Sequence, residues 1–223
     1  MSRRLLPLLA LLAVLCSTLL TSCGQREESL PPAAGLLAES AAAMRTVTST
    51  RVDLDVHGEL PGVPLKSAAG QLTREGAAQG TASLDMGEQP FEVDFIILGQ
   101  ELYLRGPTGG FRKLATSSAF LVYNPTVILD PNRGIAAVLA SGTEASTEAR
   151  EPVGGVDSYR VQAKFPRQSL DKLVPGYTPD SVSRVWIAAA GFRLVQAEFP
   201  TTGGTVSFRF SNYNAPADIR PPA

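Results

Sequence analysis

FEVDFIILGQELYLR, residues 91–105, alternates in polarity, turns, and runs on as a second apolar stretch. Phe91, Val93, Phe95 and Ile97 fall on one side; Glu92, Asp94, Ile96 and Leu98 fall on the other. A period of two marks a strand with one dry and one wet face, the habit of antiparallel sheet. Leu98-Gly99-Gln100-Glu101 divides the stretch, and glycine at the first central position suits a type II′ hairpin turn. The stretch reads as a hairpin, and the same pattern extends along the chain in both directions.

Upstream, Val52, Leu54 and Val56 alternate with Arg51, Asp53, Asp55 and His57. Downstream, Tyr159, Val161, Ala163 and Phe165 alternate with Arg160, Gln162 and Lys164. Val206, Phe208 and Phe210 alternate with Ser207, Arg209 and Ser211. Weaker strands are expected at 65–73, 78–86, 101–105, 144–149, 182–188 and 193–199, with turns at Gly154-Gly155 and Gly203-Gly204. Helices are few. AAGLLAESAAAMR after Pro31-Pro32 predicts one over about 33–45. DPNRGIAAVLAS (130–141) predicts a second, with Asp130 as N-cap and Pro131 in the first turn. RQSLDKLV (167–174) predicts a short third. The composition is that of one α+β domain, residues 33–223.

Areas sharpen this. Ten strands at about 4.8 Å spacing and about 20 Å length present roughly 950 Å² of dry face. Three short helices totalling about 45 Å, each about 10 Å wide, shield roughly 450 Å². About half of the apolar face lacks a helical cover. Either the sheet folds on itself as a sandwich or barrel, or something other than protein fills the space. Ala78, Gly80, Ala82 and the run Ala188-Ala189-Ala190 are small and leave room.

The N-terminus sets the compartment. Arg3 and Arg4 precede an apolar run, Leu5 to Leu15, too short and too closely followed by charge for a spanning helix. Leu20-Thr21-Ser22-Cys23 then fits a bacterial lipobox: an aliphatic residue, two small ones and a thiol that can take diacylglycerol. Cys16 follows bulky Leu15 and does not fit. Residues 1–22 read as a lipoprotein signal peptide, Cys23 as the lipid anchor, and 23–32 as a polar tether of at most about 30 Å. Cleavage leaves Cys23 as the one cysteine, so no internal disulfide can form. Two or three acyl chains, palmitate among them, hold stably where one would not. The expected location is the outer, periplasm-facing leaflet of the cell membrane, with the cell wall as a further destination. Net charge is −1 and becomes more acidic on cleavage, which argues against nucleic acid.

The search for chemistry is brief. His57 is the only histidine and sits among charges, so neither a catalytic triad nor a multi-histidine metal site is supported. Asp53-Leu54-Asp55-Val56-His57-Gly58 starts like a calcium loop, but Pro64 stands where a bidentate glutamate is needed. Ser169-Leu170-Asp171-Lys172 is a Ser-x-x-Lys without the Ser-Asp-Asn and Lys-Thr-Gly elements that such enzymes also carry. Asp53/Asp55 and Glu92/Asp94 read as solubilising charge on wet faces. The chain is expected to be no enzyme and to need no cofactor or metal.

The lipobox, the N-terminal helix, GELPGVPLK (58–66), DFIILGQELY (94–103), YNPTVILDPNRGIAAVLA (123–140) and RVWI (184–187) occur in this order. Together they resemble the mycobacterial LppX/LprA/LprF/LprG lipoproteins, LprG-like members most of all, over about residues 36–216. The resemblance implies a strongly curved antiparallel β half-barrel with helices on its concave face, enclosing an apolar cavity. It implies binding of acyl chains of envelope lipids (triacylglycerol, phosphoinositide or triacylated glycolipid) and work beside a major-facilitator efflux pump. Cavity contacts are then expected from Val52, Leu54, Val56, Ala82, Leu84, Met86, Phe91, Val93, Phe95, Ile97, Val161, Phe165, Phe208 and Phe210. The long connection 106–126, with Phe111, Phe120 and Tyr123, is the expected portal. A monomer is expected. The alternative is a LolA-like interaction or chaperone lipoprotein that takes apolar polypeptide or lipoprotein chains.

Overall fold

A computed structural model describes residues 29–222, apart from 61, 86, 88, 89, 116–124, 172, 179 and 180. The signal peptide, Cys23, Met86, Phe120, Tyr123 and Lys172 lie outside the described residues.

Two antiparallel meanders make one sheet of eleven strands. The first holds β1 (Ser49–Gly58), β2 (Leu65–Thr73), β3 (Ala77–Asp85), β4 (Pro90–Leu98), β5 (Glu101–Arg105) and β6 (Arg112–Ala115). The second holds β7 (Thr143–Val153), β8 (Val156–Lys164), β9 (Ser183–Ala188), β10 (Leu194–Thr201) and β11 (Gly204–Ser211). They join through β1 and β11, so the order runs β6-β5-β4-β3-β2-β1-β11-β10-β9-β8-β7. β6 and β7 are the two edges, and the sheet is not closed. The link between these edges carries a 3-10 helix, Pro125–Leu129, and helix α2, Ile135–Ala140. Helix α1 is Ala33–Arg45 and the single-turn α3 is Arg167–Leu170.

Every predicted strand is present, with its ends shifted by a few residues at most among the described residues, because each rests on local alternation. Val52 lies opposite Phe210, and Leu54 opposite Phe208, so the inner faces of the two meanders meet. Gly99 takes φ +60° while Gln100 does not take a positive φ, as a II′ turn requires. β6 is additional. Its four residues are all exposed and show no buried face, so the sequence reads them as part of a loop.

Helix α1 buries Ala33, Leu36, Leu37, Ser40, Ala41 and Met44, the i, i+3, i+4 spacing of a one-sided helix. It packs on α2 and β7. Gly142 makes the approach possible: a Cβ there would sit 2.9 Å from both Leu37 Cδ1 and Phe165 Cε1. At the far end, Arg74 Nη2 donates to the carbonyl of Arg45, which the last turn leaves free, and to that of Val47 just beyond the helix.

Asp130 is not the N-cap of α2. Its carboxylate accepts from the backbone N–H of Asn132 (2.9 Å) and Arg133 (3.1 Å), closing a turn before the helix. Gly134 is the residue at the cap, in extended backbone. Any Cβ there would strike the carbonyl oxygens of Val127 and Asp130 at 2.6 Å. The tight packing of the 3-10 helix against this turn delays the α-helix by four residues.

The core is one cluster that joins the inner faces of β1–β5 and β8–β11 to α1, the 3-10 helix, α2 and α3. Each fully buried aliphatic or aromatic side chain contributes about 1.5–3 kcal/mol. Within it the two meanders differ. Phe199 packs edge-on against Phe165 (5.9 Å), Phe208 (6.0 Å) and Tyr177 (6.4 Å), and Phe208 stacks on Phe210. The β8–β11 half is thus filled by interlocked rings. The β1–β4 half carries Ala68, Gly70, Ala78, Gly80 and Ala82 on the same inner face.

Candidate functional site

The small residues leave a trough along the inner face of β1–β4. Gly70 and Gly80 are directly paired, and their main chains approach closely: a Cβ at Gly80 would lie 2.6 Å from Gly70 Cα. Phe95 pairs with Gly80 from the next strand, the one large side chain beside this bare backbone. The 3-10 helix rests on β2 and β3. Between helix and sheet lies an apolar pocket of about 20 Å³. Its walls are Val52, Leu54, Ala68, Leu72 and Phe95, its floor is Gly70, and its roof is Pro125 and Ile128. Every lining side chain is apolar, so the pocket offers no hydrogen bond and no charge to an occupant. A space of that size admits about one water-sized probe, far below the roughly 300 Å³ at which small-molecule sites begin. This pocket is therefore not by itself the large hollow expected from the surplus of dry face. Part of that surplus is consumed by the aromatic cluster.

The expected contact residues divide accordingly. Val52, Leu54 and Phe95 line the pocket. Ala82, Leu84, Val93 and Ile97 are buried on the same inner face, and Val56 and Phe91 are half-buried against the core. Val161, Phe165, Phe208 and Phe210 are buried on the aromatic side. Phe111 lies on the outer face, where the Arg105 guanidinium sits 4.7 Å from its ring centroid. Sequence reasoning missed Ala68, Gly70, Leu72, Pro125 and Ile128. The period-two spacing of Ala68, Gly70 and Leu72 was the available signal. Pro125 and Ile128 come from a segment with no strand or helix period.

Charge keeps to the outer face, the loops and the exposed sides of the helices. Asp55 pairs with Arg209 (2.7 Å) and Asp94 with Arg105 (2.8 Å) across neighbouring strands. The Lys113 ammonium, then the Tyr103 hydroxyl, hydrogen-bond Glu101 and hold its carboxyl below the usual range. Glu101 in turn raises Lys113. Hydrogen bonding to Arg133 lowers Asp130, and hydrogen bonding to Arg150 lowers Asp157. These are paired surface groups; none faces the pocket. Ser169 is half-buried on α3, and among the described residues no cluster of three metal-ligating side chains occurs.

An open eleven-stranded antiparallel sheet with few helices and an apolar inner face defines an α+β half-barrel. The chain belongs to the LppX_LprAFG lipoprotein family, whose model matches residues 32–219. A relative from Mycobacteroides abscessus, named lipoarabinomannan carrier protein LprG, is 34% identical over 96% of this chain and 97% of its own length. A relative of the same name from Mycolicibacterium smegmatis is 30% identical over 97% of this chain and 95% of its own. The fold is that of the crystal structure of LprF from Mycobacterium bovis, with a TM-score of 0.75, 23% identity and coverage of 86% of this chain and 97% of that one. It is similar also to lipoprotein LppX from Mycobacterium tuberculosis, with a TM-score of 0.64, 22% identity and coverage of 83% and 98%.

Proposed function

We propose that this protein is a non-catalytic carrier, anchored through acylated Cys23, that takes up acyl chains of envelope lipids and moves them within or across the cell envelope. The observation that carries the reading is the pocket under the 3-10 helix, apolar on every side and floored by residues too small to fill it. The carrier names of its relatives support the reading. The physical case needs no catalyst. Each methylene exposed to water costs about 0.8 kcal/mol, so a sixteen-carbon chain costs roughly 12 kcal/mol to leave a bilayer unaided. An apolar inner face offered in exchange removes most of that cost. Pro125 and Ile128 form the roof, so loading requires the 3-10 helix to lift from β2 and β3. The triacylated glycolipid, triacylglycerol and phosphoinositide classes all present such chains, and a major-facilitator efflux pump is the expected partner for release.

The test is native mass spectrometry of the Cys23→Ala protein purified from its own host. A stoichiometric lipid mass is expected, and Ala68→Phe, which plugs the pocket, should reduce it to background while the protein stays folded. Protein without lipid, or with a bound polypeptide mass, would refute the proposal.

A further inference from the structure

The outer face of the sheet carries a second, polar site. The β1–β5 register sets outward side chains in two ranks across the strands. One runs Arg51, Gln71, Gln79 and Ile96; the next runs Asp53, Ala69, Thr81, Asp94 and Arg105. Ala69 and the bare main chains of Gly70 and Gly80 keep the middle of this surface low. The result is a groove of about 400 Å³, within the range of small-ligand sites. Phe111 stands at one end, against Arg105, and Arg51 at the other.

The groove differs from the outer face over β7–β9. Over β7–β9 the outward groups satisfy one another: Arg160 bridges Glu148 and Glu151 (2.9 Å each), Arg184 reaches Glu148 (3.1 Å), and Trp186 Nε1 donates to Glu151 (2.8 Å). In the groove the charges cancel locally, Arg51 with Asp53 and Arg105 with Asp94. Gln71 spends one amide hydrogen on the Pro216 carbonyl (3.2 Å). The Gln79 amide and the Thr81 hydroxyl have no side-chain hydrogen bond among the described residues. An anion would meet Asp53 and Asp94 beside each arginine, and an acyl chain would bury polar groups without partners. A ligand that both donates and accepts, without net charge, meets carboxylate, guanidinium, amide and hydroxyl groups in one trough. The exposed part of the Phe111 ring offers apolar area to the C–H face of a sugar ring.

We infer that this groove is a binding site for a neutral oligosaccharide, held through its hydroxyls, on the opposite face of the sheet from the acyl pocket. The inference stands independently of acyl-chain binding. It is tested by NMR titration of the folded, anchor-free Cys23→Ala protein with linear mannohexaose, maltohexaose and an anionic heparin hexasaccharide. A neutral hexasaccharide should shift the Gln79 side-chain amide and the Ala69 and Thr81 backbone signals. Gln79→Ala and Phe111→Ala, both surface changes, should each weaken that binding about tenfold, and Gln79→Ala should leave lipid occupancy untouched. The inference fails if millimolar neutral sugars leave those signals in place, if heparin moves them more strongly, or if both variants bind like the parent.

Discussion

Ile128→Ala probes the pocket and its occupant together. Ile128 is 2% exposed and forms the roof with Pro125. The change removes three carbons, about 2.4 kcal/mol of transfer free energy at 0.8 kcal/mol each. The enlarged void adds to this, for a total of roughly 3–4 kcal/mol. In a domain of this length the midpoint of thermal unfolding should drop by roughly 10 °C. The informative comparison uses lipid-stripped parent and variant, unfolded in urea and followed through the single tryptophan, Trp186. Each is measured alone and with a monoacyl lysophospholipid below its micelle concentration. An acyl chain in the pocket supplies methylenes where the isoleucine was. The lipid should then stabilise the variant more than the parent, by up to about 2 kcal/mol. Equal increments in both proteins would place the chain elsewhere and refute the assignment of the pocket.

Two further outcomes are expected. Arg74→Met leaves the Arg45 and Val47 carbonyls without their side-chain donor, and should cost about 1–3 kcal/mol in urea unfolding, with amide exchange rising first at the end of α1. Asp130 has a folded pKa below its unfolded value, first through Arg133 and then through the backbone N–H groups of Asn132 and Arg133. A depressed carboxyl binds fewer protons when folded, so its contribution is complete above about pH 4 and is lost as pH falls through the folded value. Asp130→Asn should therefore flatten the stability profile below pH 4, read from urea midpoints between pH 2 and 6, and leave its slope above pH 5 unchanged.

Much of the sheet was legible because strand alternation is local. Phe91 to Ile97 declare a dry face within seven residues, and the alanine- and leucine-rich run after Pro31-Pro32 declares α1 in the same local way. Family membership was legible in the ordered set of segments from Gly58 to Ile187. β6 was not, because its four exposed residues have no face to reveal. Asp130 was misplaced because Asp-Pro opens a turn as readily as a helix, and only the contact between Gly134 and the carbonyls of Val127 and Asp130 decides between them.

The sequence by itself determined ten of the eleven strands, the dry side of those that alternate strongly, and the family, since these depend on spacing along a short piece of chain. Only the tertiary structure decided where the dry face is solid and where it is hollow. That depends on which side chains meet across strands distant in sequence. Phe165, Phe199 and Phe208 find one another and fill their half. Gly70 and Gly80 find one another and leave theirs bare, with Ile128 laid over the gap.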